Sequence, residues 1–270
     1  MLQKPKHFSG EYAEQFKYRD VVEAYRFRPP YSAETFDILV NLIQSEPRRV
    51  LDVGCGTGSI ARYLVDCVES LDAVDFSQHM IEMGKQLPNG DNPRLHWLYG
   101  RAEDVPLDPP YALITAGESL HWMDWNVVLP RFHELLAPGA YLVVIEPRTQ
   151  PDPWTLLNEI ILRYRTNKDK WQAYNMLEEL EQHGLFEKVG EKTTVPFTFT
   201  QSVDDCIESY HSRSVFSRER MGAERAVAFD QEAKEILLRT YPDDIISLQI
   251  ATSIVWGVPQ AHLRGEKVVE

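Results

Sequence analysis

The sequence predicts an α/β protein with a three-layer α/β/α architecture: a mostly parallel sheet with helices on both faces. Three observations carry this. From residue 50 to about 146, short apolar runs alternate with stretches of helical spacing. The runs are continuously apolar, as strands buried on both faces are. One of them, "VLDVGCGTG" at 50–58, stops at an acid and opens into glycines on alternate positions, at the strand end where open α/β sheets bind ligands.

The elements follow in order. "RVLDV" reads as a first buried strand and "GSIARYLVDCV" as the helix after it. "LDAVD" is a second strand, and "SQHMIEMGKQL" a helix with Ser77 at its N-cap. "RLHWLYG" and "YALITA" are strands three and four. "VVLPRFHELLAPG" reads as a helix stopped by Pro138 and Gly139, and "AYLVVIEP" as strand five. Beyond Pro147 the pattern changes. "PWTLLNEIILRY" and "WQAYNMLEELEQHG" look helical, and "FEKVGEKTTVPFTFT" looks extended, with Pro196 at an edge or strand end. "SVDDCIESYHSRS" opens on a serine cap, "DQEAKEILLRTY" is another helix, and "IISLQIATSIVW" is β-branched and strand-like. The first ~45 residues read as helical and carry many aromatics: Phe8, Tyr12, Phe16, Tyr18, Tyr25, Phe27 and Tyr31. One continuous domain is expected, with a helical lid segment over 1–45, a core over 46–147, and cap helices plus the last two strands over 148–270.

Composition excludes several classes. The 270 residues carry a net charge of −13, split evenly: 14 Lys+Arg against 21 Asp+Glu in residues 1–150, and 14 against 20 in the rest. Nucleic-acid binding leans on cationic phosphate contacts, so no nucleic-acid partner is expected. No run is apolar and long enough to cross a bilayer, and the N-terminal stretch has no secretory h-region. Cys55, Cys67 and Cys206 show no metal-ligand or disulfide spacing. A cytoplasmic protein without a membrane partner or a resident metal is the expectation.

The loop itself discriminates among ligands. A triphosphate-binding loop ends in Gly-Lys-Ser/Thr, but Ser59 and Ile60 follow Gly58 here. A dinucleotide loop reads G-x-G-x-x-G, one residue longer than Gly54-x-Gly56-x-Gly58. Asp52 at the strand end attracts a cationic group rather than a phosphate. This combination resembles the class I S-adenosylmethionine-dependent methyltransferases, and the resemblance continues through "LDAVDFS", "GRAEDVPL" and "LLAPGAYLVVIE". It implies S-adenosyl-L-methionine as cofactor, S-adenosyl-L-homocysteine as product, and a seven-stranded sheet in the order 3-2-1-4-5-7-6 with "IISLQIATSIVW" as the antiparallel seventh strand. It also implies cofactor contacts from Asp52, Gly54, Cys55, Gly56 and Gly58, from Asp75 to the ribose hydroxyls, from Phe76 and Met80, from Ala102 and Glu103 at the adenine, and from Gly117. The Asp52 carboxylate is expected to organise backbone N–H groups of the loop.

"DPPY" at 108–111 looks like the signature of amino-group methyltransferases. There the motif follows strand four; here it precedes it, displaced by the strand's length, on the order of 20 Å for about six residues. It reads as a proline turn. The segment that does follow strand four is "GESLHWMDW". With "FSGEYAEQFKYRDVVEAYRFRPPYS" near the N-terminus, it resembles the methyltransferase type 11 branch, including trans-aconitate methyltransferase-like enzymes, which act on small molecules. The resemblance implies acceptor contacts from Tyr25, Arg28, Ser119 and Trp122. His121 is a candidate general base, since an unperturbed imidazole titrates at about 6.5. Methyl transfer to an oxygen of a small metabolite, by a monomer or homodimer, is the expected activity. A non-catalytic binder of the same cofactor and a methyltransferase of macromolecules are the alternatives. Arg213, Arg218, Arg220 and Arg225 in "SRSVFSRERMGAER" read two ways: as a grip on a substrate carboxylate, or as a solvated helix balanced by Glu219 and Glu224.

Overall fold

A computed structural model of the chain describes residues 4, 5, 8, 13–166 and 174–261. After a 3₁₀ turn at Glu14–Lys17 come α1 (Arg19–Ala24), a second 3₁₀ turn (Tyr25–Phe27) and α2 (Ala33–Leu42). The core then runs β1 (Arg49–Val53), α3 (Ala61–Leu64), β2 (Ser70–Asp75), α4 (Gln78–Gln86), β3 (Leu95–Tyr99), β4 (Tyr111–Gly117), α5 (Trp125–Leu135) and β5 (Leu136–Gln150). The rest is α6 (Trp154–Tyr164), α7 (Met176–Gln182), β6 (Phe186–Thr193), β7 (Phe197–Ser202), α8 (Val203–His211), α9 (Arg218–Met221), α10 (Ala223–Thr240) and β8 (Ile245–Pro259). Tyr12 and the "WQA" opening of one expected helix lie outside the described residues.

The strands form one sheet in the order β3-β2-β1-β4-β5-β8-β6, with β7 also paired to β8. The first five are parallel and β8 runs antiparallel between β5 and β6. This is the expected order with one strand added. β8 is 15 residues long, so its outer edge accommodates two partners: β6 pairs along Ser253–Pro259 and β7 along Ile245–Ile250. The extended "FEKVGEKTTVPFTFT" stretch is therefore two strands, broken at Pro196, which has no N–H for a ladder.

Successive residues of the central strands serve opposite faces, as strand geometry requires. In β4, Leu113 packs with α2 and α3 on one face through Ile38, Leu39, Ala61 and Leu64, while Ile114 packs with α5 on the other through Trp125, Val128 and Phe132. A separate cluster joins α6, α8 and α10 to the first half of β8 through Ile246, Leu248 and Ile250. The cap thus grows from the same strand that completes the sheet.

Several helices differ from the expectation; α10, for one, opens at Ala223, seven residues before "DQEAKEILLRTY". After β1 only α3 and a 3₁₀ turn (Val65–Cys67) form, because the glycine loop occupies the chain through Ile60 and β2 opens at Ser70. α5 starts earlier than "VVLPRFHELLAPG" suggests: the Asp124 carboxylate caps it by accepting from the Asn126 amide at 3.0 Å. Pro138 and Gly139 lie within β5 rather than ending the helix.

Candidate functional site

Between β1 and α3 the chain turns sharply, with φ of 62° at Gly54, 55° at Gly56 and 77° at Gly58. Any other residue is strained there. At Gly54 a Cβ would also fall 2.5 Å from the Ser119 Cβ. The loop is pinned to the end of β2. Cys55 N–H donates to the Val74 carbonyl at 3.0 Å, and Gly56 N–H donates to Asp75 Oδ2 at 2.8 Å. Asp75 Oδ1 accepts from Ser77 N–H at 2.7 Å. Burial pushes the Asp75 carboxyl up to about 6, against the pull of the Ser77 and Gly56 amides.

The loop amide expected to rest on Asp52 is thus held by Asp75. Asp52 looks sideways instead: its Oδ1 accepts from the Thr115 hydroxyl at 2.8 Å across β1 and β4. Its Oδ2 is buried without a hydrogen bond of good geometry, although the Ala61 amide favours the ionised form. Burial dominates and raises its pKa to about 7.

These strand ends open into a cavity of about 1320 Å³. Phe76, Met80, Ala102 and Glu103 line one end with Asp75; Gly117, Ser119, His121 and Trp122 line the stretch after β4. Glu103 holds the adjoining loop, its Oε1 accepting from Asp124 N–H at 2.9 Å. The Ser119 hydroxyl is engaged, donating to the Val53 carbonyl at 2.6 Å. The His121, Phe8 and Trp122 rings form a triangular cluster, His121 lying 4.9 Å from Phe8 and 4.6 Å from Trp122, and those two 6.0 Å from each other.

The N-terminal segment closes over this space. The Tyr25 ring comes within 3.7 Å of where a Gly56 Cβ would sit, and the Arg28 guanidinium lies 4.1 Å above that ring. Arg28 also donates from Nε to the Ser212 hydroxyl at 2.8 Å and from Nη2 to its carbonyl at 3.0 Å. It faces Glu118 at 3.5 Å. One side chain therefore ties the N-terminal segment to the cap and to the β4 end.

Sequence reading missed Glu118, Tyr31 and Trp154, all on the cavity wall. Glu118 holds φ at 50°, unusual for a residue with a side chain; its place directly after the "YALITAG" strand was the available signal. Burial holds the Tyr31 phenol well above its usual range, so it stays protonated. The four arginines of the cap separate. Arg218 pairs with Glu208 and Asp230 at 2.7 and 3.1 Å. Arg225 donates to the carbonyls of Arg163 and Tyr164, and Arg220 is exposed. Neither Glu219 nor Glu224 pairs with any of them among the described residues, so the expected balance by those two acids is not what forms. Arg213 alone reaches the cavity.

"DPPY" behaves as a turn. Its Asp108 is exposed, 3.1 Å from Arg49, at the opposite end of β4 from the cavity. Cys55, Cys67 and Cys206 are all free thiols. Among the described residues no cluster of three or more His, Cys, Asp or Glu could hold a metal, and no helix is long and apolar enough to cross a membrane.

Residues 50–139 match the methyltransferase domain family. An uncharacterised methyltransferase of Mycobacterium tuberculosis is 33% identical over 141 residues, covering 51% of this chain and 55% of that protein. Trans-aconitate 2-methyltransferase of Pseudomonas aeruginosa is 30% identical over 121 residues, covering 44% and 42%. The chain spans about half the length, or less, of the curated relatives it matches. A solved structure from Anaeromyxobacter dehalogenans, provisionally assigned as a type II methyltransferase, superposes with a TM-score of 0.63 at 20% identity, over 86% of this chain and 97% of that one. That likeness concerns the fold.

Proposed function

We propose, from the premise that residues 50–139 are a methyltransferase domain, that this chain transfers the methyl group of S-adenosyl-L-methionine to an oxygen of a small-molecule acceptor. One observation carries the reading: a glycine loop held in positive φ, pinned by Asp75, and opening with the buried Asp52 onto a covered cavity. The residues present fit the cofactor. Each Asp75 oxygen accepts one amide and keeps a second lone pair, which suits a ribose diol. Asp52 Oδ2, buried without a hydrogen bond of good geometry, suits a cationic ligand. When bound, S-adenosyl-L-methionine supplies an electrophilic methyl carbon on a sulfonium and leaves as S-adenosyl-L-homocysteine.

The chain's own residues do the rest. Asp75 holds the ribose; Gly54, Cys55, Gly56 and Gly58 hold the methionyl end; Ala102 and Glu103 flank the adenine, with Phe76 and Met80 as walls and Gly117 giving room. Residues 1–45 act as the lid, 46–147 as the cofactor core, and 148–270 as the cap helices plus the last strands that complete the sheet. Tyr25, Arg28, Ser119 and Trp122 wall the acceptor space, where closure excludes water and fixes orientation. His121, packed against Phe8 and Trp122, takes the proton of a hydroxyl acceptor. The size of the space supports a small molecule: about 1320 Å³ exceeds the ~300–1,000 Å³ typical of a single-ligand pocket, leaving room for an acceptor beside the cofactor.

Calorimetric titration with S-adenosyl-L-methionine and with NADH tests the reading. The account expects saturable binding of the first and none of the second; the reverse would refute it. Transfer of a tritiated methyl group to any member of a metabolite panel then separates a catalyst from a non-catalytic binder.

A further inference from the structure

Arg213 occupies an unusual place. It follows the end of α8, and its guanidinium lies 4.8 Å above the Trp154 ring of α6. Its side chain is open to solvent by surface area, yet the surrounding protein strips enough water from it to lower its pKa. The two facts agree if its exposed surface faces the cavity it lines rather than the outside. Among the described residues nothing hydrogen-bonds or ion-pairs with its guanidinium, whereas the guanidinium groups of Arg218 and Arg225 in the same segment are hydrogen-bonded.

Its neighbours sharpen the point. Arg28 repels it, while Glu118 and Asp152 attract it from beyond contact distance. Glu118 is itself drawn to Arg28 at 3.5 Å. Arg165 also lines the cavity. The charges acting on Arg213 are thus one guanidinium in the lining and two carboxylates, neither of which contacts it. A desolvated arginine beside another arginine is costly unless an anion joins it. Stacking on Trp154 fixes the plane of the fork and offsets part of that cost. A planar fork held this way presents paired N–H groups to an oxyanion.

We propose that Arg213, stacked on Trp154, binds an oxyanion of the methyl acceptor, so that the acceptor is a small organic acid. The proposal rests on the function argued above and names its substrate class. A carboxylate fits the fork; a phosphate monoester shares the chemistry and is a separate arm of the test. The cofactor's own methionyl carboxylate is the competing source. Its place in the function argued above is the glycine loop, which Tyr25 and Arg28 cover; Arg213 also acts on Tyr25, so the product-affinity measurement below separates the two sources.

The test uses the full chain saturated with S-adenosyl-L-homocysteine and titrated with succinate, benzoate, phenyl phosphate and benzamide. Wild type, Arg213→Met and Arg213→Lys are compared, and homocysteine-product affinity is measured first for each. The expected result is binding of at least one acid, no binding of benzamide, at least a tenfold loss in Arg213→Met, and partial retention in Arg213→Lys. Product affinity should be equal in all three, which also shows that the variants fold. Binding of phenyl phosphate but of neither carboxylate would identify a phosphate ester as the acid. Benzamide binding as well as benzoate, no acid binding to product-loaded wild type, or undiminished acid binding in Arg213→Met would overturn the proposal. So would a loss of product affinity in Arg213→Met, which would hand this residue to the cofactor. Failure of wild type to bind the product at all would instead refute the function on which the proposal rests.

Discussion

Replacing Asp52 with asparagine should stabilise the protein and weaken its hold on the cofactor. Asp52 is 1% exposed, accepts one hydrogen bond from Thr115, and leaves Oδ2 without a hydrogen bond of good geometry, the Ala61 amide only easing its charge. Burial raises its pKa from 3.8 to about 7. The folded state therefore holds this proton more tightly than the unfolded chain does. Below about pH 4 both states are protonated and nothing is lost. Between about 4 and 7 the unfolded chain ionises first, so stability falls by about 1.36 kcal/mol per pH unit; above 7 the cost is constant. Its upper bound is (7 − 3.8) × 1.36, roughly 4 kcal/mol. Asparagine keeps the shape and the acceptor for Thr115 but carries no charge. Its advantage over wild type should grow by (7 − 5.5) × 1.36, about 2 kcal/mol, between pH 5.5 and 8. Urea unfolding followed by tryptophan fluorescence across that range measures the gain, and calorimetry measures S-adenosyl-L-methionine affinity in parallel. A gain that does not change with pH, or a variant less stable than wild type at pH 8, would refute the reasoning. Unchanged cofactor affinity would take the charge out of the site. The expected pairing of higher stability with weaker binding is the usual cost of a functional buried charge.

Asp75→Ala removes the proposed ribose contact and should weaken S-adenosyl-L-methionine binding at least tenfold. It also strands the Gly56 and Ser77 amides, so denaturation should report a loss of about 2–4 kcal/mol; equal affinity in both proteins would sink the assignment. Gly54→Ala forces a Cβ into positive φ and against Ser119, which should cost about 1–3 kcal/mol and reduce cofactor affinity, both readable by the same two assays; an unaffected variant would mean the loop conformation is not needed. His121→Ala should lower single-turnover methyl transfer by about 10²–10⁴-fold when the acceptor loses a proton, with cofactor affinity near wild type. Equal rates in both proteins across pH would remove His121 from the chemistry.

Much of this was legible in the chain because the informative features are local. A run such as "RVLDV" needs only its own composition to read as a doubly buried strand, and Ser77 caps α4 as its position before "QHM" suggests, accepting from Met80 N–H at 3.4 Å. The glycine loop and Asp75 lie within a single strand–helix–strand unit. What escaped depends on contacts between distant segments. Nothing near Asp52 says that its oxygen faces Thr115, 63 positions away. Arg213 looked like one of four equivalent arginines, and only the packing of α6 against α8 and α10 singles it out. The division of "FEKVGEKTTVPFTFT" into β6 and β7 follows from the length of β8, which lies some fifty residues farther on. The helix expected from Val127 instead starts at Trp125, directly after its capping acid Asp124.

The central claim is that the glycine loop and Asp75 hold S-adenosyl-L-methionine. A crystal structure of the full chain grown with S-adenosyl-L-homocysteine tests it most directly. The account predicts density along the ends of β1, β2 and β4, with both ribose hydroxyls within hydrogen-bonding distance of the Asp75 carboxylate, the amino-acid end against Gly54–Gly58, and the sulfur facing the cavity between His121 and Arg28. A ligand bound with its ribose away from Asp75, or a glycine loop left bare while the ligand sits elsewhere, would contradict the account.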